Sequence, residues 1–388
     1  MAISTASPHF VPGLADVVAA QTRLSSVNGL EGELIIAGFP VEEIASRATF
    51  EEMVYLLWND ALPTATQLND FRQALIKQRA LPDTTIDVLR AAAERGLPSM
   101  DALCLAAGTL NLDLANTGPL QQAIAVLARF PIIVATYARL LNHQKPLAPR
   151  DDLDHAANYL FMLFGVVPEP EHTRALETYL NTVVDHGLNA STFTARVITS
   201  TGSDLVSAVV GAIGALKGPL HGGAPGPALD MVFEISDASR AESFMRQKLE
   251  RRERLMGFGH RIYRTRDPRA EVLSVAAEQM YRSAGDMKLY TLANEVENVA
   301  IRLLAERYPE RNLKTNVEFY TALLLHGLGM STDLFTPTFA ASRAAGWIAH
   351  IFEQRQQSRI IRPESEYVGV KNRTWIALEQ RDLVESVR

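Results

Sequence analysis

The chain predicts an all-α protein, and three observations carry that reading. Capping boxes open helices, apolar residues recur behind them at helical spacing, and strands never alternate with helices as a doubly wound sheet requires. Thr49 with Glu52 opens one helix, whose stripe carries Met53, Leu56 and Leu57. Thr64 with Gln67 opens the next, with Leu68, Phe71 and Leu75 on its apolar face and Pro63 marking the break. The most apolar long stretch, residues 123–141, is interrupted by Arg129, Pro131 and Arg139. It reads as a buried helix kinked at Pro131 and not as a membrane span. Residues 154–164, 173–184 and 204–216 continue the pattern, the last rich in small side chains (Ala208, Gly211, Ala212, Ala215) that let neighbours approach closely. Strand signals are few: Leu34-Ile35-Ile36, after Asn28-Gly29 and Gly32, predicts a short hairpin.

The 388 residues are enough for two or three domains. With 47% hydrophobic and 21% charged residues, the chain can bury a large core. Its formal net charge of -6 argues against a polyanion-binding surface, so neither nucleic acid nor membrane is an expected partner, although a local basic pocket remains open. One cysteine, Cys104, excludes intrachain disulfides and multi-cysteine metal cages, and its apolar setting reads as a small buried hydrophobe. Residues 1–11 are polar and contain Pro8, with no basic region leading into an apolar stretch. No secretory signal is expected, and the expected compartment is the cytoplasm.

Three less regular segments each set a histidine beside glycine. They are Asp185-His186-Gly187-Leu188-Asn189-Ala190-Ser191-Thr192, Gly218-Pro219-Leu220-His221-Gly222-Gly223-Ala224, and Met256-Gly257-Phe258-Gly259-His260-Arg261 running on to Asp267-Pro268-Arg269-Ala270. One such histidine is ordinary in a loop. Three, with arginines following, point to chemistry in loops between buried helices. Other site types fail: Gly257-Phe258-Gly259 lacks the third glycine of a dinucleotide fingerprint, no phosphate-binding P-loop occurs, and no HExxH or other metal-ligand spacing is found, so no metal is expected. The remaining histidines (His9, His143, His155, His172, His326, His350) read as surface or packing residues.

In this order and at this separation, the three segments resemble the signature segments of the citrate synthase family. The likeness extends outside them. Residues 13–63 resemble the family's opening, including Ser25-Ser26-Val27-Asn28-Gly29-Leu30-Glu31-Gly32. Asn316-Val317-Glu318-Phe319-Tyr320 and the later stretch Arg343-Ala344-Ala345-Gly346-Trp347-Ile348-Ala349-His350 are similar to the family's closing segments. The resemblance implies a two-domain helical fold, with residues 1–221 and 328–388 as a large, dimer-forming domain and 222–327 as a small inserted one. It implies an acyltransferase of the tricarboxylic acid cycle that condenses acetyl-CoA with oxaloacetate through an enol and then hydrolyses citryl-CoA. Acetyl-CoA is a co-substrate, and no resident cofactor is expected.

By the same resemblance, His221 donates to the thioester oxygen as the enol forms, His260 holds the oxaloacetate carbonyl and His186 orients that substrate. Arg269 and Arg343 clamp its carboxylates, since a guanidinium fork matches a carboxylate bidentately. Arg362 is supplied by the other subunit of a homodimer, and Phe339 contacts substrate. Leu255, Gly257, Phe258 and Gly259 border the adenine of CoA, with Arg264 on a phosphate. The general base is usually aspartate, and here it is Glu318. Its acid–base chemistry is preserved, but one added methylene moves the carboxylate by roughly an ångström, a displacement that can cost on the order of a hundredfold in rate. Thr315 stands where proline often precedes the asparagine, and Pro225 where asparagine is frequent. Two other readings are 2-methylcitrate synthase, using propionyl-CoA, and a weakly active paralogue that binds CoA or dicarboxylates. The unextended start leaves no room for an added N-terminal domain, so insensitivity to NADH is expected.

Overall fold

A helix start leaves backbone N–H groups without intrahelical partners, and this chain meets them repeatedly with its own side chains. A computed structural model describes residues 10–222, 225–260, 262–263, 265–357, 359–379 and 381. Both expected capping boxes, at Thr49 and Thr64, are formed. Asp154, Asn189, Asp204, Asp237, Asp267 and Asn316 cap six further helices through their side-chain oxygens.

Two compact units emerge, Ala20–Ile360 and a smaller one made of the chain ends up to Ala19 and from Ile361. The larger unit begins with an antiparallel sheet of β1 (Ser25–Asn28), β2 (Glu33–Ile36) and β3 (Phe39–Pro40). The first two strands form the expected hairpin, and β3 adds a short third strand. The helices follow in order: α1 (Val41–Ile44), α2 (Phe50–Asn59), α3 (Ala65–Lys77), α4 (Asp83–Glu94), α5 (Ser99–Thr109), α6 (Asn111–Leu114), α7 (Pro119–Leu141), α8 (His155–Phe164) and α9 (Pro170–Val183). After them come α10 (Ala190–Ser200), α11 (Leu205–Leu216), α12 (Pro225–Ile235), α13 (Ala238–Glu250), α14 (Pro268–Ser283), α15 (Lys288–Arg307), α16 (Val317–Gly327) and α17 (Phe335–Gln356).

Helix α17 lies at the centre of the core and packs on α2, α7, α9, α10 and α11, burying Phe335 and Trp347 completely. Farther along the chain, α14 packs on α9 and α16, α13 on α15, and α12 on α16. Helix α7 is long and apolar enough to cross a membrane, yet 78% of its apolar window is buried in the protein, as a core helix requires. It continues through Pro131. Two expectations need correction. Helix α9 starts at Pro170, ahead of Thr173, because proline is tolerated in a first helical turn. Cys104 is only half-buried, packed against the edge of the core from α5. In the terminal unit, Pro12–Leu14 forms a 3₁₀ turn and the Tyr367 hydroxyl donates to the Val370 carbonyl.

Candidate active site

The first histidine segment is held from beneath. The Ser25 hydroxyl of β1 donates to Asp185 and accepts from the Gly187 N–H at 2.7 Å, which cinches the loop around His186. Helix α17 passes directly under this loop because Gly346 has no side chain: a Cβ there would lie 2.3 Å from the Val184 carbonyl. One turn on, His350 accepts from Arg196 through Nδ1 at 3.0 Å, so its proton is on Nε2, 3.2 Å from Asp185. Burial alone would raise the Asp185 carboxyl, but His350, Arg343 and Ser25 together hold it below the ordinary value. Above them, His186 Nε2 is 3.0 Å from the Tyr263 hydroxyl and its ring centroid 6.0 Å from that of His260. Burial, reinforced by Arg269 and Arg343, pushes His186 well below the usual imidazole range, so the ring is neutral.

The second part of the site is built where the loop before α14 meets the start of α16. Gly257 has φ +85°, and a Cβ there would come within 2.8 Å of the Phe319 ring. The close approach lets Gly259 N donate to Lys314 O at 2.7 Å and Asn316 N to Gly257 O at 3.0 Å. His260 Nδ1 accepts from the backbone of Ile262 and Tyr263 at 3.0 and 3.1 Å, which leaves its proton on Nε2. Arg269 Nη2 lies 3.5 Å from that nitrogen, so two donors stand side by side and can share one acceptor oxygen. Asp267 caps α14, grips the Arg269 guanidinium at 3.0 and 2.8 Å, and accepts from Val317 N at 3.2 Å. Glu318 follows in the first turn of α16, its N–H donating to the Asn316 cap at 3.0 Å. Burial raises its carboxyl above the ordinary value, with Arg269 opposing.

His221 sits half-buried on the opposite side. The Ser191 N–H donates to its Nε2 at 3.3 Å, so the neutral ring carries its proton on Nδ1. The Ser191 hydroxyl, 2.9 Å from the same nitrogen, accepts from Trp347 Nε1 at 3.0 Å and locks the ring orientation. Burial and then Arg343 push His221 down to about 4, and burial and then Arg269 do the same for His260. Arg343 is 1% exposed, stacks 4.6 Å over Phe339 and donates to the Val183 carbonyl at 2.7 Å. Among the described residues it makes no ion pair, and burial lowers its guanidinium to about 10. A buried cation without a carboxylate partner is costly and suits an anionic ligand.

Comparison with known proteins agrees with this architecture. The family model described as "Citrate synthase, C-terminal domain" matches residues 13–364. The chain belongs to the citrate synthase family. It is 38% identical to Citrate synthase 2 of Bacillus subtilis, covering 95% of this chain and 98% of that protein. It is also 38% identical to the 2-methylcitrate synthase of Shewanella oneidensis, over 95% and 97% of the two chains. The structure of the Thermoplasma acidophilum citrate synthase in ternary complex with carboxymethyl-coenzyme A and oxaloacetate superposes with a TM-score of 0.86 at 30% identity, covering 96% of this chain and 100% of that one. The chain is therefore an enzyme of the citrate synthase type, which transfers an acyl group.

Within this citrate synthase fold, Arg269 and Arg343 link the predicted residues electrostatically: Arg343 acts on His186 and His221, and Arg269 on His186, His260, Glu318 and Arg343, with Phe339 against Arg343. Leu255 is buried, and the Gly257 carbonyl and both Gly259 backbone groups are engaged by residues 314–316. Arg362 is exposed in the terminal unit, and Arg264 lies outside the described residues. Sequence reasoning missed Asp185, Ser191, Tyr263, Asp267, Trp347 and His350 as parts of the site. Asp185, Ser191 and Asp267 stand inside the histidine segments, where their polar spacing at helix starts was a usable signal. His350 reads from sequence as a packing residue; it is buried, and it holds Asp185.

Proposed function

We propose that the enzyme condenses acetyl-CoA with oxaloacetate to give citrate and free CoA. The observation that carries this reading is the pair of buried guanidiniums, one without a carboxylate partner, facing two neutral imidazole donors and one carboxylate. Glu318 removes a proton from the methyl group while His221 Nδ1–H donates to the thioester oxygen, stabilising the enol without a full charge beside it. His260 Nε2–H and Arg269 polarise the oxaloacetate ketone, Arg269 and Arg343 hold its carboxylates, and His186 orients it. The enol carbon bonds to the ketone carbon, and the ketone oxygen takes up a proton. Water then adds to the thioester carbon of citryl-CoA, the C–S bond breaks, and CoA leaves as the thiol.

The segment from Leu255 to Gly259 would border the adenine of CoA, its Gly257 and Gly259 backbone held in place by residues 314–316. Residues 222–327 form the smaller domain, with 1–221 and 328–388 as the larger, and its closure over oxaloacetate excludes water until condensation is complete. The active unit is a homodimer in which Arg362 completes the partner's site. Propionyl-CoA differs by one methyl group, a discrimination of about 1–3 kcal/mol in an apolar pocket, and competing the two thioesters in one assay decides the acyl donor.

Purified protein is expected to release thiol from acetyl-CoA only when oxaloacetate is present, and Glu318→Gln to abolish that release. A wild type as inert as the variant refutes the reading.

A further inference from the structure

One buried carboxylate beside the site takes no part in the chemistry above. Glu297 of α15 is 6% exposed, and both its oxygens are occupied: Oε1 accepts from the Thr315 hydroxyl and Oε2 from the Tyr320 hydroxyl. Thr315 and Tyr320 are themselves fully buried, at 1% and 0% exposure, and stand three residues before and two after Glu318. Arg266 Nη2, 3.5 Å from Glu297 Oε1, supplies the nearest countercharge. The same short segment is gripped from its other side by the glycine loop, through the Gly259–Lys314 and Asn316–Gly257 backbone bonds, and Asp267 takes the Val317 N–H.

We infer that Glu297 is a positioning residue: through the Thr315 and Tyr320 hydroxyls it sets the depth and rotation at which the first turn of α16 presents the Glu318 carboxylate. The inference rests on the reading of Glu318 as the base. A glutamate has one more rotatable bond than an aspartate, so its carboxylate is placed well only if the backbone beneath it is held firmly. Two buried hydroxyls, each donating to a different oxygen of one carboxylate, tie the segment to α15 at two points. Anchors on both sides of residue 318 restrain translation and rotation together, which a single cap at Asn316 cannot do. Displacement of a reacting group by about an ångström costs on the order of a hundredfold in rate, so loosening one anchor should cost a sizeable part of that factor.

The test is a double-mutant cycle of wild type, Thr315→Val, Glu318→Asp and the double variant, since valine removes the hydroxyl and keeps the shape. Thr315→Val is expected to lower kcat about tenfold with KM for both substrates unchanged, and to raise the deuterium isotope effect from trideuterated acetyl-CoA because proton removal is the step slowed. In the Glu318→Asp background the same change is expected to cost less, so the losses do not multiply. Tyr320→Phe, which also removes only a hydroxyl, should give the same kcat effect, with thermal melting verifying that each variant is folded. Equal losses in both backgrounds, or an unchanged isotope effect, overturn the assignment of Glu297. An inactive wild type, or an active Glu318→Gln, instead overturns the reading of Glu318 itself, so the two failures are separable.

Discussion

His221 and His260 each have one ring nitrogen occupied by backbone N–H donors, which leaves the other nitrogen to carry the proton. His221 gives its Nε2 to Ser191, and His260 gives its Nδ1 to two backbone amides. With both rings lowered to about 4, both are neutral near pH 7 and are not expected to set the pH dependence of catalysis in the neutral range. Burial raises the Glu318 carboxyl above the ordinary value, so if Glu318 is the base, activity is lost as pH falls through that raised value. The profile of kcat/KM against pH should show one acid limb above the ordinary carboxylate value, and Glu318→Asp should move it. A limb that stays in place on that substitution assigns it to another group. The histidine segments were legible because each is a run of adjacent residues. The tautomers were not, because Ser191 is thirty positions from His221 and their meeting is tertiary.

Helix α17 carries Arg343, Gly346, Trp347 and His350 on consecutive turns, and the spacing brings all four beneath the His186 and His221 loops. Gly346 is the point of closest approach. An added methyl would have to displace the Val184 carbonyl, moving the Asp185–His186 loop away from Arg343 together with it. Gly346→Ala should therefore destabilise the protein by about 1–3 kcal/mol in chemical denaturation and weaken oxaloacetate binding in calorimetry. Unchanged stability and binding would show that the helix can shift freely. Helix positions and starts were largely readable, since a capping box spans four residues and an apolar stripe a few turns. The start of α9 at Pro170 was not, because proline reads equally well as the end of a loop.

The terminal unit exposes Phe10, Val18, Tyr367, Val368, Trp375 and Leu378 and carries Arg362. Apolar groups of that number on one unit suit burial against a partner. If Arg362 serves the site of a second subunit, Arg362→Ala and Glu318→Gln homodimers should each be inactive. Subunits of the two variants, exchanged by mild denaturation and refolding, should recover part of the thiol release, because one site in each mixed dimer is then intact. No recovery in mixed dimers confirmed by mass argues against a shared site.

Short-range information was enough to determine the helices, the hairpin, the three histidine loops and, through their order, the family. Such features depend on residues within a few turns of one another. Only the tertiary structure decided which groups are neutral, which cation is unpaired and which carboxylates hold others in place. Among the described residues Arg343 makes no ion pair, His350 reaches Asp185 across 165 positions, and Glu297 accepts from Thr315 and Tyr320 on either side of Glu318 from another helix. Each of those properties is set by desolvation and by distance in space, and neither quantity is encoded in any local run of residues.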